Sequence, residues 1–257
     1  MEVARGSDHR RHLRASLALL ICSVLALPLS ANARTETAAV RHVIDGDTVV
    51  LRDNRTVRLV GINAPERGRD GAPDEPFYAA AHQRLKALVE NKTVTLEYED
   101  EGQDRHGRTL AHLIVDGVSV ESILIKEGLV TAVAVPPNVR EAVRLFAVER
   151  EARAARRGLW GHAASTPQTA ETLSASDTGY RFVRGTVTRI GNSRKAYYLD
   201  MGPRFAVRIS HVDWARHFRN RPEDWKGKRL LVRGWVSEHE SRLHLNAGHP
   251  LMIEQLP

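Results

Sequence analysis

The chain has 257 residues, of which 42% are apolar and 27% are charged, and its formal net charge is +7. These proportions are ordinary for folded globular protein, and the length is enough for two small domains, so fibrous and intrinsically disordered classes are excluded. The positive charge either serves solubility or favours an anionic partner, such as nucleic acid or an acidic cell-surface polymer. Charge alone does not choose between these.

The first 33 residues predict a secretory signal. Basic residues precede an apolar run at 17–29, and Ala31-Asn32-Ala33 is a small-x-small cleavage motif. We expect cleavage after Ala33, a secreted or periplasmic protein and no membrane attachment afterwards, because the apolar run is shorter than the about 20 residues of a membrane span. An uncleaved amino-terminal anchor is the alternative. The only cysteine, Cys22, lies in this segment, so no disulfide is expected.

Residues 38–162 predict one compact domain of mixed β and α structure. Short segments rich in β-branched residues, separated by turn formers, predict five strands: 39–44, 48–51, 56–62, 93–99 and 109–115. Apolar residues at helical spacing predict three helices: one beginning near 77, one at 119–128 and one from about 138 to 158. Five strands with a few helices suit a small closed barrel of the OB type.

Residues 163–179 are rich in Ala, Ser and Thr, which predicts an exposed linker. Residues 180–257 then predict a second domain, because six further β-rich segments follow. These segments are 180–190, 196–201, 205–209, 229–236, 242–246 and 251–254, with a helix near 213–219. Their number and length suit a second OB-like barrel, although no sequence repeat relates the two halves.

Two acidic residues mark the first strand junction, Asp45-Gly46-Asp47-Thr48. Taken alone, this motif is a hairpin turn. Two carboxylates on a turn are also the hard oxygen ligands that calcium prefers. The motif is not an EF-hand, because no terminal Glu follows and its flanks are strands.

Two arginines and one glutamate accompany this turn. Arg58 lies in the middle of a predicted strand, and the strand's exit places Asn63, Ala64 and Glu66 beside Asp45. Arg108 ends the polar loop 104–108. Taken singly, Arg58 is an outward-facing solvated residue and the loop is a surface turn. Taken together, the residues provide oxygens for a cation, a spare carboxylate and two guanidiniums, which is what phosphodiester cleavage needs.

The order and spacing of these three segments resemble the thermonuclease (staphylococcal nuclease-like) family over residues 38–162. The resemblance implies an OB-fold barrel and a calcium-dependent endonuclease that cleaves single-stranded or frayed DNA and RNA with little sequence preference. It implies catalytic roles for Arg58, Glu66 and Arg108. It also implies that calcium is held by Asp47, the Asn63 side chain and the Ala64 backbone carbonyl, with Asp45 supporting the site; these seven positions are the candidate site.

The chain departs from that family at several positions. Asn63 stands where aspartate is common, which removes one negative charge, so we expect weaker calcium binding. His106 stands where tyrosine is frequent, and Val133 and Val135 replace tyrosines that lie near the nucleotide base in the family's best known member. Aromatic stacking adds roughly 1–3 kcal/mol per base, so base preference and substrate affinity stay open.

Two further questions stay open in the sequence. The second domain interleaves basic and aromatic residues, which suits either a platform for single-stranded nucleic acid or a structural barrel that docks on the first domain. A secreted nucleic-acid-binding protein with a catalytically impaired nuclease-like domain is the alternative function. The sequence does not indicate an oligomeric state.

Overall fold

The computed structural model describes residues 34–68 and 70–257. The predicted signal at 1–33 lies outside the described residues. Within the described ranges, no helix is long and apolar enough to cross a membrane.

The amino-terminal half is a closed barrel with three helices. Its elements are β1 (Thr35–Val43), β2 (Thr48–Leu51), β3 (Thr56–Leu59), β4 (Ile62–Asn63), α1 (Tyr78–Val89), β5 (Thr93–Glu97), β6 (Thr109–Val115), β7 (Val118–Ser119), α2 (Val120–Lys126), β8 (Thr131–Ala132) and α3 (Ala142–Ala154). The strand order is β3-β2-β1-β5-β6, and a parallel pairing of β3 with β6 closes the ring. The predicted five-stranded OB barrel with three helices is confirmed.

The barrel interior is filled by strand residues and by one face of α1. Val49 and Leu51 on β2 are buried, as are Leu96 and Leu113 on the opposite strands. Helix α1 adds three buried residues at intervals of four, Ala81, Leu85 and Val89. That spacing places them on one face of the helix, so α1 covers the barrel beside the β1–β2 turn.

The predicted strand 56–62 is interrupted, and the interruption shapes the site. Gly61 has a φ of +79°, and a Cβ there would lie 2.5 Å from Leu145 Cδ1 on α3. Only glycine adopts this left-handed conformation without strain and leaves that space to Leu145. The chain therefore turns after β3, and β4 pairs with β8 through Ile62 and Asn63.

The carboxy-terminal half is a second, sheet-rich unit, called the second barrel after its predicted fold. Its elements are β9 (Gln168–Thr169), β10 (Gly179–Thr186), β11 (Arg189–Asn192), β12 (Ala196–Asp200), β13 (Phe205–Ser210), α4 (His211–His217), β14 (Arg229–His239), β15 (Arg242–Asn246) and β16 (Ile253–Gln255). The hydrogen-bonded order is β11-β12-β13-β15-β14-β10-β9, and β16 pairs with β14. In the first barrel β3 pairs in parallel with β6, and in this sheet β13 pairs in parallel with β15. The predicted second β-rich domain is confirmed as a sheet-rich unit, and its closure into an OB-like barrel stays a prediction.

The segment predicted as an exposed linker packs against the second barrel instead. Strand β9 pairs in parallel with β10, and Ala170 and Leu173 are buried. Ala170 fits because two glycines lie beside it. A Cβ on Gly185 would lie 2.9 Å from Ala170 Cβ, and one on Gly202 would lie 2.5 Å from Ala170 O. A small residue in a glycine-lined slot needs little apolar surface to be buried, which is why composition missed it.

A buried ion pair joins the two barrels. Arg233 Nη1 on β14 lies 2.5 Å from Glu149 Oε2 on α3, and the two side chains are 9% and 1% exposed. The second Glu149 oxygen accepts a hydrogen bond from the Ala132 amide at 2.8 Å, and the Arg233 guanidinium lies 4.4 Å from the Phe146 ring centroid. Both charges therefore have partners, which buried charges require.

Replacing Arg233 with methionine should destabilise the protein substantially. The variant leaves the Glu149 carboxylate buried without its cation, and removing one partner of a buried pair costs about 3–5 kcal/mol. Urea unfolding measures the loss. The matched control is Arg153→Met, which breaks the more exposed inter-barrel pair with Glu254 and should cost under about 1 kcal/mol. Equal losses in the two variants would contradict the assigned role of Arg233.

Candidate active site

The motif 45–48 forms the turn between β1 and β2, and its glycine fixes where that turn lies. The Asp47 amide donates a hydrogen bond to Asp45 Oδ1 at 3.0 Å, which closes the turn. A Cβ on Gly46 would lie 2.7 Å from the Cβ atoms of both Ala64 and Ala81. The absence of a side chain at 46 therefore lets the turn pack directly against the residues that follow β4.

Asp47 is the centre of the candidate site. It is 5% exposed; Oδ2 accepts a hydrogen bond from the Ala64 amide at 2.8 Å and forms an ion pair with Arg58 Nη2, also at 2.8 Å. The other oxygen, Oδ1, accepts from the Thr48 hydroxyl at 3.0 Å. Burial raises the pKa of Asp47 to about 6, with Asp45 adding to the rise and Arg58 opposing it. The carboxylate thus joins three segments that are separate in sequence.

Arg58 is held inside the site instead of being solvated. Besides its contact with Asp47, Nη1 donates to the carbonyl oxygens of Leu59 at 2.7 Å and Ile62 at 3.1 Å. The Ile62 carbonyl is within reach because the chain turns at Gly61. One strand arginine therefore braces the turn that follows it.

The three candidate residues at the end of β4 and after it differ in solvent exposure. Asn63 and Ala64 are buried, and the Asn63 carbonyl accepts a hydrogen bond from the Thr131 hydroxyl at 3.3 Å. Glu66 is exposed. Its amide donates to Glu75 Oε2 at 2.9 Å and its carbonyl accepts from the Glu75 amide at 3.0 Å, so the backbone at Glu66 is fixed on both sides.

Arg108 is oriented by its own loop. Its Nε donates to Asp104 Oδ2 at 2.7 Å, and its amide donates to Oδ1 of the same residue at 3.0 Å. Burial tends to raise the pKa of Asp104, but the hydrogen bonds from Arg108 and from the His106 amide outweigh it and lower that pKa. Asp104 is therefore a stable anion that positions the guanidinium.

A cavity of about 240 Å³ brings the two arginines together. Arg58 and Arg108 both line it, with Asp104 at one side. Val133 and Val135 line it too, and so does Trp235 from the second barrel. Trp235 is the residue that the sequence did not place here, because its position depends on how two barrels pack.

Only some of the candidate site residues are in contact with one another or line the same cavity. Arg58, Asp47 and Ala64 are in direct contact, and Arg58 shares its cavity with Arg108. Asn63 lines a different cavity, of about 390 Å³, together with Pro65 and Glu75. Glu66 lies on the surface two residues beyond Ala64.

The candidate ligands have the donor chemistry that a hard divalent cation accepts. In the described part of the chain, no group of three or more His, Cys, Asp or Glu side chains forms a metal cluster. The candidate ligands are instead one carboxylate, one amide oxygen and one backbone carbonyl, from Asp47, Asn63 and Ala64. Calcium accepts such oxygens in flexible geometry. Burial already disfavours the Asp47 anion, and a neighbouring cation would offset that cost.

The chain is similar to known proteins over its amino-terminal half. The family model described as "Staphylococcal nuclease homologue" matches residues 56–162. The thermonuclease of Staphylococcus intermedius is 35% identical over 135 residues, covering 51% of this chain and 80% of that protein. The thermonuclease of Staphylococcus hyicus is 31% identical over 134 residues, covering 51% and 79%. An uncharacterized endonuclease of Escherichia coli is 34% identical over 130 residues, covering 49% and 78%.

Replacing Gly46 with alanine should destabilise the protein and displace the Asp47 turn. The added methyl would lie 2.7 Å from two other Cβ atoms, and such overpacking costs about 1–3 kcal/mol. Urea unfolding measures the effect. Gly102→Ala is the control, since no atom lies within 4 Å of a Cβ there, and it should change stability by under about 0.5 kcal/mol. Identical midpoints for the two variants would show that the turn is not packed as described.

Proposed function

Since this chain belongs to the staphylococcal nuclease family and is a nuclease that hydrolyses phosphodiester bonds, we propose that it is a secreted, calcium-dependent endonuclease. Its substrates are DNA and RNA, cleaved with little sequence preference. The observation that carries the proposal is the cavity lined by both Arg58 and Arg108, with Arg58 in contact with the buried Asp47. Secretion rests on the signal predicted at 1–33.

The two arginines bind and orient the scissile phosphate. A guanidinium donates two parallel hydrogen bonds to phosphate oxygens and stays charged at all working pH values. Arg108 is aimed by Asp104, and Arg58 by Asp47 and two carbonyls, so neither side chain has to be ordered when substrate arrives. Preorganised positive charge of this kind stabilises the charge that develops at phosphorus.

Glu66 takes the proton from the attacking water. It is exposed to solvent two residues beyond Ala64, and its backbone is held by the paired hydrogen bonds with Glu75. A positioned carboxylate contributes roughly 100-fold or more to such a step.

Asp47, Asn63 and the Ala64 carbonyl would hold calcium. A bound calcium ion supplies neutralisation of a phosphoryl oxygen. With amide oxygen in place of carboxylate at Asn63, affinity should be modest, and about 0.1–1 mM is typical for extracellular calcium sites. Weak binding is thus compatible with a secreted enzyme.

Glu66→Gln should abolish most turnover while leaving nucleic-acid binding intact. The amide keeps the shape of the carboxylate but cannot accept the proton, so kcat should fall by at least about 100-fold. Cleavage of a labelled oligonucleotide with calcium measures kcat, and gel retardation in chelator measures binding. The control is the exposed Glu171→Gln, which should behave as wild type. Unchanged kcat in Glu66→Gln would remove Glu66 from the mechanism.

The same two assays test the alternative function. If the wild type retards nucleic acid in the gel but does not cleave it, the protein is a nucleic-acid-binding protein and not an active nuclease.

Asn63→Asp should lower the calcium concentration needed for half-maximal activity. The substitution adds one negative charge to the ligand set, and affinity in such sites follows ligand charge. A calcium titration of cleavage measures the midpoint, and a calcium-dependent rise in melting temperature reports binding independently of turnover.

Asp47→Asn is the control of opposite sign and should raise that midpoint. If Asn63→Asp leaves the midpoint unmoved while Asp47→Asn raises it, residue 63 is not a ligand.

A further inference from the structure

Trp235 is an exposed aromatic residue of the second barrel that faces the nuclease cavity. It is 41% exposed, although tryptophan is usually largely buried. It lines the same cavity as Arg58 and Arg108, with the half-exposed Val135 beside it. The cavity lining therefore combines apolar side chains with two guanidiniums, and the carboxylates of Glu101 and Asp104 also line it.

The position of Trp235 is fixed by the strand that carries it. Along β14, Leu230 and Val232 face the interior of the second barrel and are fully buried. Arg233 and Trp235 alternate with them and lie on the opposite face. Because Arg233 is locked to Glu149 on α3, the residue two positions later is held against the nuclease barrel. Tyr180 adds an edge-on ring contact with a centroid distance of 5.1 Å.

We propose that Trp235 is a base-stacking residue of the nuclease site. This inference rests on the proposed function. A nucleotide has an anionic phosphate and a flat apolar base, and the cavity offers two guanidiniums and an indole in the same space. The phosphate binds Arg58 and Arg108 while the neighbouring base stacks on Trp235.

The arrangement selects for unpaired bases. A base inside a duplex is already stacked on both faces, whereas a single strand or frayed end can turn its base onto an aromatic side chain. The second barrel therefore contributes directly to substrate binding, and the preferred substrate is single-stranded nucleic acid.

The test is a double-mutant cycle between the protein and the substrate. The proteins are the full-length wild type, Trp235→Ala and Trp235→Phe. The ligands are a short single-stranded DNA oligonucleotide and versions with one abasic site at each successive position. Binding is measured by fluorescence anisotropy in chelator at fixed salt, and kcat/KM is measured with calcium.

We expect Trp235→Ala to weaken binding of the intact oligonucleotide by about 5- to 150-fold, the equivalent of roughly 1–3 kcal/mol. At one abasic position the wild type should lose the same affinity, and Trp235→Ala should lose nothing further. Trp235→Phe should retain most of the affinity, because a smaller ring still stacks. Val212→Ala, an exposed apolar residue of the same barrel, should bind as wild type.

Two results would overturn the inference: unchanged binding in Trp235→Ala, or additive losses at every abasic position. The melting temperature of Trp235→Ala is measured first, and if this variant has lost structure, Trp235→Leu replaces it in the cycle, so that misfolding is not mistaken for a stacking effect. If the wild type binds but cleaves nothing with calcium, the proposed function fails and the binding cycle still decides the stacking role.

Discussion

The buried carboxylate of Asp47 is the interaction on which the rest of the site depends. An ionised group taken out of water is stable only when other dipoles and charges replace its hydration. Here those partners are the Thr48 hydroxyl, the Ala64 amide and the Arg58 guanidinium. Satisfying one carboxylate thus fixes the β1–β2 turn, strand β3 and the segment after β4 relative to one another. The site is assembled by the need to solvate Asp47 internally.

The second barrel is also connected to the candidate site, through a chain of contacts that begins at Arg233. Arg233 pairs with Glu149, whose other oxygen accepts the Ala132 amide on β8. Strand β8 in turn pairs with β4, which carries Asn63. Arg233 on the second barrel is therefore connected to Asn63, a candidate calcium ligand, through the Glu149 carboxylate and the pairing of β8 with β4. Displacing the second barrel should disturb the position of β4 as well as remove Trp235 from the cavity.

The sequence was sufficient to predict the structure where local residue patterns determine it. Strands rich in β-branched residues predicted both barrels, and the Asp45-Gly46-Asp47 turn was predicted at the junction where it occurs. It was insufficient where packing decides. Gly61 interrupts an otherwise strand-like segment because Leu145 occupies the space of a side chain, and Ala170 is buried because two glycines make room for it. Trp235 was assigned to the second barrel alone, since only the docking of that barrel places it near Arg58.

A second buried ionisable cluster contrasts with Asp47. His112 contacts Glu99 at 2.7 Å and lies 3.7 Å from Glu121, all in the core of the first barrel. Burial opposes the charged imidazole, but the two carboxylates outweigh it and raise the pKa of His112 to about 9.

The charged forms of the two groups have opposite effects on stability, although both raised pKa values make stability fall as pH rises. A raised histidine pKa means that the charged cluster stabilises the fold fully below about pH 6.5, and that this contribution is lost as pH rises toward 9. At Asp47, burial dominates and raises the acid's pKa to about 6, so above that pH the charged carboxylate costs folding free energy. Nearby carboxylates outweigh burial at His112, whereas the partners of Asp47 reduce the effect of burial on its carboxylate without cancelling it.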